Sequence, residues 1–234
     1  MKTKEVVLSI LEQKKNTYVS GHAISEAAHV SRTAVWKAVE ELRRAGYEID
    51  SAPKRGYRLA EGSDVISAEG IAVCLSHKVL AERIVVFDEL ESTNLTAKLN
   101  VISGMTGKSV IIARRQSAGT GHGKTEYHSP EGGIYLSLIK EPQREEPRLK
   151  AADIGRTVSA VIAGESGKET RLDKATNRIF IGQQKVCGVL TEIIADLETG
   201  EISAYIIGIG IQLAGIRKNR MIAALIEAFL GENA

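Results

Sequence analysis

Apolar residues recur at helical spacing through the first 45 positions and at strand spacing from residue 82 onward, and this change of period divides the chain. Val6, Val7, Ile10 and Leu11 predict an amphipathic helix over 3–14. Ser20 stands where an N-cap oxygen starts a short helix carrying Ile24, Ala27 and Ala28, and Ser31 stands likewise before a longer one. On that third helix Val35, Val39 and Leu42 share a face, which leaves Arg32, Thr33 and Lys37 on another near its start. Gly46 follows at the position a helix C-cap prefers. Two β-prone runs then flank Pro53-Lys54-Arg55-Gly56 and predict a hairpin with a basic tip. Trp36, on an otherwise apolar helix, is expected to pack against that hairpin.

The run EGSDVI at 61–66 is polar and reads as a linker, so domains are expected over 1–62 and 63–234. The helical run SAEGIAVCLS after it is expected to dock the first domain onto the second. Beyond it come RIVVFDEL, a helix through 95–99, SVIIARR, GIYLSLI, a helix in 149–163, RIFIG, VCGVLTEII and AYIIGIGI. A last helix comes after them, with Met221, Ile222, Leu225, Ile226 and Phe229 on its packing face. Strands separated by helices and tight turns predict a mixed sheet with helices packed on it, and the chain as a whole is expected to be α+β.

Composition narrows the class. With 43% hydrophobic and 26% charged residues, the 234-residue chain has material for a core. No run nears the roughly 18 apolar residues of a membrane span, so no membrane association and a cytoplasmic location are expected. Cys74 and Cys187 lie outside any C-x-x-C pair, and both are expected as buried, reduced thiols. No metal site is expected, His122 and His128 lacking acidic or Cys partners at useful spacing. The net charge of +2 hides an asymmetry: residues 1–60 hold eleven Lys/Arg against seven Asp/Glu, the remainder twenty against twenty-two. A polyanion would therefore bind the N-terminal segment.

Cap, turn, helix and basic hairpin, in that order, describe a winged helix-turn-helix. Arg32 and Thr33 are expected at base edges of duplex DNA, and Lys37, Arg43, Arg44, Lys54 and Arg55 at phosphates. A homodimer is expected, since one winged helix reads one half-site.

Four segments of the second domain carry its chemistry. They are Glu91-Ser92-Thr93-Asn94 after a strand, the loop RQSAGTGHGKTEYHSPEGG at 115–133, KVCGVLTE at 185–192, and GIGI at 208–211. Together with the N-terminal domain they resemble the biotin protein ligases that double as biotin operon repressors (BirA type), over about residues 1–215. In that family the loop runs Gln-Thr-Ala-Gly-Arg-Gly-Arg-x-Gly-Arg-x-Trp-x-Ser-Pro-x-Gly-Gly. The resemblance implies that Ser92, Thr93, Asn94, Gln116, Gly119, Gly121, Lys185, Gly188, Gly208 and Gly210 bind biotin or biotinyl-5′-AMP, with Lys185 the residual catalytic lysine. Glycines of such a loop can also bring backbone N–H groups close to phosphate oxygens.

The departures from that pattern concern the nucleotide. Thr120, His122 and Thr125 replace the loop arginines, and the family's Lys-Trp-Pro-Asn-Asp is here Lys174-Ala175-Thr176-Asn177-Arg178. Thr120, His122, Lys174 and Asn177 thus mark a degenerate nucleotide site, where the exchange of an acidic Asp for Arg178 argues against ATP with Mg²⁺. One helix comes after GIGIQLAG, so the small SH3-like C-terminal domain of full-length relatives is expected to be missing, and with it a support for transfer to biotin carboxyl carrier protein. Three readings stay open. The leading one is a DNA-binding repressor whose ligase-like domain senses biotin and makes little adenylate. The alternative is an active bifunctional biotin–[acetyl-CoA-carboxylase] ligase and biotin operon repressor, with Lys124 or Arg178 standing in for the missing arginines. The third is a DNA-binding protein whose second domain only dimerises.

Overall fold

The computed structural model describes residues 2–104, 109–142, 150–196 and 198–231, and of Lys124 the backbone only. The chain divides into two compact units, Met1–Cys74 and Leu75–Ala234.

The first unit holds α1 (Thr3–Gln13), α2 (Gly21–Ala27), α3 (Arg32–Arg44), the antiparallel hairpin β1 (Ile49–Ala52) and β2 (Gly56–Leu59), and α4 (Ala68–Cys74). Both expected caps form: Ser20 Oγ accepts from the Ala23 N–H at 3.0 Å and Ser31 Oγ from the Ala34 N–H at 3.1 Å. Each satisfies a donor that a first helical turn leaves open. Val7, Leu8, Leu11, Ile24, Val35, Val39 and Leu42 meet Tyr47, Ile49 and Leu59 in one core; the stripe read on α3 is the buried one, whereas on α1 Leu8 joins Val7 and Leu11 and the expected Val6 and Ile10 are only partly buried. Gly56 closes the hairpin at φ 98°, where a Cβ would also strike the Val19 backbone.

Residues 61–66 do not run free. The Glu48 N–H donates to Ser63 Oγ at 3.1 Å, and Lys15 Nζ donates to the Ser63 carbonyl at 2.5 Å, tying the segment to the hairpin and to α1. α4 packs on α1. The helix expected to dock onto the second domain thus belongs with the first, and this unit runs past residue 62. Cys74 is exposed, contrary to expectation, while Cys187 is buried.

The second unit runs in the order β3 (Ile84–Leu90), α5 (Thr93–Ile102), β4 (Val110–Gln116), β5 (Ile134–Lys140), α6 (Ala151–Ser166), β6 (Arg171–Asp173), β7 (Arg178–Ile181), β8 (Gln184–Ala195), β9 (Ile202–Ile211) and α7 (Lys218–Leu230). Its seven strands form one sheet in the order β3-β4-β5-β9-β8-β7-β6. β3 and β4 run parallel, joined by α5 as a crossover, and the other neighbours are antiparallel. This is the expected α+β class. Position 149 of the helix anticipated at 149–163 lies outside the described residues, and β6 was not anticipated.

Ala97 of α5 packs on Ile111 and Ile206. The alternate positions Val110, Ile112, Leu136, Leu138 and Ile207 are fully buried too. With both faces covered, the strands read as nearly unbroken apolar runs. α7 packs on α6 and β5. Among the described residues no helix is long and apolar enough to cross a membrane.

Candidate functional site

One cavity of about 90 Å³ collects most of the second unit's expected positions. Its floor is set by strand register. Gly188 pairs with Gly210 and Leu190 with Gly208 across β8 and β9, so three glycines lie on one face of the sheet. The Ser92 hydroxyl caps α5 by accepting from the Leu95 N–H, which sets Thr93 and Asn94 over that floor. Gly208 has to be glycine, because a Cβ there would collide with the Asn94 amide.

The polar side chains on this wall hold one another. Gln116 Oε1 accepts from the Thr93 N–H at 2.8 Å and from Thr93 Oγ1 at 3.1 Å, while Gln116 Nε2 donates to Ser129 Oγ at 2.9 Å. Asn94 Nδ2 donates to Glu192 Oε2 at 2.7 Å, and Asn94 Oδ1 accepts from Ser137 Oγ at 2.6 Å. Glu192 also accepts from Lys98 Nζ at 2.5 Å. Such a network fixes side-chain directions before any ligand arrives.

The glycine-rich loop closes on itself. The Gly121 N–H donates to the Thr125 carbonyl and the Tyr127 N–H to the Gly119 carbonyl, each at 2.7 Å, around a short 3₁₀ turn at His122–Lys124. Those two N–H groups are therefore committed within the loop. Tyr127 lies across the floor, its ring 2.5 Å from where a Cβ on Gly210 would stand and 2.8 Å from one on Gly188. Its hydroxyl donates to the Gly210 carbonyl at 2.8 Å, and burial pushes the phenol well above its ordinary pKa.

Two cations complete the lining. Lys185 Nζ sits 4.8 Å from the Tyr127 ring centroid, within cation–π range. Burial, and secondarily the positive charge of Arg178, hold the Lys185 ammonium below its usual pKa. Arg178 lines the same cavity from β7.

Ser92, Thr93, Asn94, Gln116, Thr120, Gly121, His122, Lys185, Gly188, Gly208 and Gly210 thus converge. Gly119, Lys174 and Asn177 stand outside the lining. Gly119 packs against the Tyr127 carbonyl, Ser129 and Gln116, where a Cβ would not fit. Lys174 is exposed. Asn177, at φ 50°, accepts from the Val189 N–H through its carbonyl at 3.1 Å. Beside them Asp173 accepts from Thr176 Oγ1 at 2.7 Å and from the Ala175 N–H at 3.0 Å, which holds its carboxyl below the usual range. Tyr127, Glu126 and Thr176 were missed from the sequence, although Tyr127 stands at the aromatic position of the loop motif, two residues before Ser129-Pro130. The side chain of Lys124 lies outside the described residues.

The first unit presents a second candidate surface. Arg32, Thr33, Lys37 and Arg44 are exposed on α3, and Arg32 and Lys54 line one groove between the start of α3 and the hairpin tip. Arg55 lies over the Tyr18 ring at 4.1 Å. Arg43 has a different task from the one expected: its Nε donates to the Ile49 carbonyl at 2.9 Å and its Nη1 to Glu40 at 2.6 Å, fastening α3 to β1. Trp36, expected to be packed, is instead 53% exposed beside Arg32, Thr33 and Lys37.

A family model described as an HTH domain matches residues 3–58, and one for the biotin/lipoate A/B protein ligase family matches 86–212. Bifunctional ligase/repressor BirA of Bacillus subtilis (strain 168) is 34% identical over 209 residues, which are 88% of this chain and 64% of that protein. Its namesake in Escherichia coli (strain K12) is 28% identical over 221 residues, 92% of this chain and 65% of that protein. The chain thus spans just under two thirds of the length of these curated relatives. The crystal structure of biotin acetyl coenzyme A carboxylase synthetase from Helicobacter pylori, solved with bound biotinylated ATP, shares the fold with a TM-score of 0.53 at 21% identity, over 62% of this chain and 72% of that one. With a ligase-type model matching over half of its length behind an HTH domain, the chain belongs to the biotin/lipoate A/B protein ligase family.

Proposed function

We propose that the protein is a DNA-binding transcriptional repressor of the biotin operon type, whose ligase-like domain binds biotin or biotinyl-5′-AMP and synthesises little adenylate. One observation carries this reading. The Gln116–Thr93–Ser129 and Asn94–Glu192–Ser137 networks are complete around the glycine floor, whereas the loop wall of the same cavity holds threonines and a histidine where relatives carry arginines. Joining two anions requires donors that strengthen as charge develops, and each lost donor costs about 2.7–4 kcal/mol of transition-state stabilisation. Two losses would slow adenylate formation by roughly four orders of magnitude or more. The DNA partner is inferred from the exposed Arg32, Thr33 and Lys37 beside a basic hairpin, and half-site symmetry calls for a homodimer.

The second reading, an active bifunctional ligase and repressor, draws on Arg178 and Lys185 as cations within the cavity. Biotin calorimetry combined with a pyrophosphate-release assay separates the two. We expect biotin to bind and pyrophosphate release to remain near background. Turnover comparable to that of a full-length relative would establish the second reading, and absence of biotin binding would end both.

A further inference from the structure

Many of the cavity's donors are engaged before a ligand enters. Gln116 and Asn94 are engaged on the α5 side. On the loop side Thr120 Oγ1 donates to the Ala118 carbonyl, Thr125 Oγ1 to the His122 carbonyl at 2.9 Å, and Thr176 Oγ1 to Asp173 at 2.7 Å. The Gly121 and Tyr127 N–H groups serve carbonyls of their own loop. Arg178 and Lys185 are the cations of the lining among the described residues, beside the His122 ring. Both line the cavity, the charge of Arg178 reaches Lys185, and among the described residues neither has a carboxylate at ion-pair distance. Glu126 also lines the cavity, exposed and paired with neither.

Two cations turned to one partly buried space without a counter-ion repel each other, and an anion placed between them relieves that cost. A divalent metal does not fit the same wall. Mg²⁺ in nucleotide sites relies on one or two carboxylates with substrate phosphates. Here the lining supplies one carboxylate against two cations, and no trio of His, Cys, Asp or Glu comes together among the described residues. A guanidinium, by contrast, offers paired donors that match phosphate oxygens.

We propose that Arg178 and Lys185 form a metal-independent anion subsite for a phosphate group, as carried by a nucleoside 5′-monophosphate or its acyl ester. The proposal rests on the ligand-binding reading of this cavity and adds that Arg178 takes the place of the divalent cation.

Calorimetry of the full chain with AMP, with inorganic phosphate and, separately, with biotin tests it, each in EDTA and in Mg²⁺. We expect AMP, inorganic phosphate or both to bind equally well in EDTA and Mg²⁺, the stronger of the two identifying the source of the phosphate. Arg178→Gln should weaken that binding about 10- to 100-fold, Arg178→Lys should restore part of it, and biotin affinity should stay within about 3-fold. An unchanged thermal midpoint shows that the variants are folded, as an exposed β7 side chain predicts. Failure of both phosphate probes to bind, binding that requires Mg²⁺, or equal affinity in Arg178→Gln overturns the proposal. Absence of biotin binding with AMP binding intact would instead sink the biotin reading and leave the phosphate subsite standing.

Discussion

Lys185 ties the electrostatics of the cavity to a measurable pH dependence. Its ammonium is disfavoured by burial and then by Arg178, so its folded pKa lies below the ordinary 10.5. Below the folded value both the folded and unfolded chains hold the proton. Between the folded value and 10.5 the unfolded chain binds more, so stability rises with pH in that window as the fold sheds its desolvated charge. Ligand affinity moves the opposite way, because an anion needs the ammonium. AMP affinity should hold near neutral pH and decline as pH rises, before a solvent lysine would titrate. Lys185→Arg should extend it to higher pH, since guanidinium keeps its proton. Identical pH profiles for the parent and Lys185→Arg would remove Lys185 from the anion's surroundings. At this scale the sequence was informative where a motif prescribes one residue type. Gly208 and Gly210 could be read from GIGI, and the structure gives the reason, since Asn94 and Tyr127 occupy the space a Cβ would take. Partners distant in sequence were not legible: nothing local announces that Glu192 receives both Asn94 and Lys98, or that Tyr127 lies under Lys185.

Among the elements, α3 shows most clearly what periodicity can and cannot tell. The apolar stripe and the Ser31 cap were legible because both depend on spacing within a few residues. The tasks of the polar face were not, because they depend on what the hairpin brings alongside. Arg43 resembled its neighbours in sequence yet fastens α3 to β1, and Trp36 resembled a packing residue yet stands exposed. The same lesson explains residues 61–66, whose polar composition suggested a linker while Ser63 in fact receives hydrogen bonds from Glu48 and Lys15. Substitutions sort these tasks. Arg32→Glu and Lys54→Glu, on one groove, should each weaken duplex binding, Lys54→Glu also flattening its salt dependence by removing a phosphate-facing charge and Arg32→Glu also relaxing sequence preference at a base edge. Trp36→Ala should weaken binding to the specific site more than to random duplex, as expected of a side chain against base edges. Operator retention at moderate salt for all three variants equal to the parent would sink the assignment of this face to DNA.

At the scale of the whole molecule the question is whether the two units act on each other. A ligand shifts an equilibrium only by its differential affinity for the two states, and the coupling is reciprocal. If biotin favours operator binding, the protein must bind its operator more tightly when liganded and bind biotin more tightly when on DNA, by the same factor. For a typical coupling of about 1–3 kcal/mol the factor is roughly 5- to 150-fold. If ligand acts by promoting a dimer that spans two half-sites, the gain should appear on a two-half-site duplex and vanish on an isolated half-site. Titrating both duplexes with and without biotin measures all of this in one experiment. Equal operator affinity in the two conditions, with biotin binding confirmed by calorimetry, would mean that the cavity is occupied without consequence for DNA, and the ligase-like unit would then have to be assigned a role independent of repression.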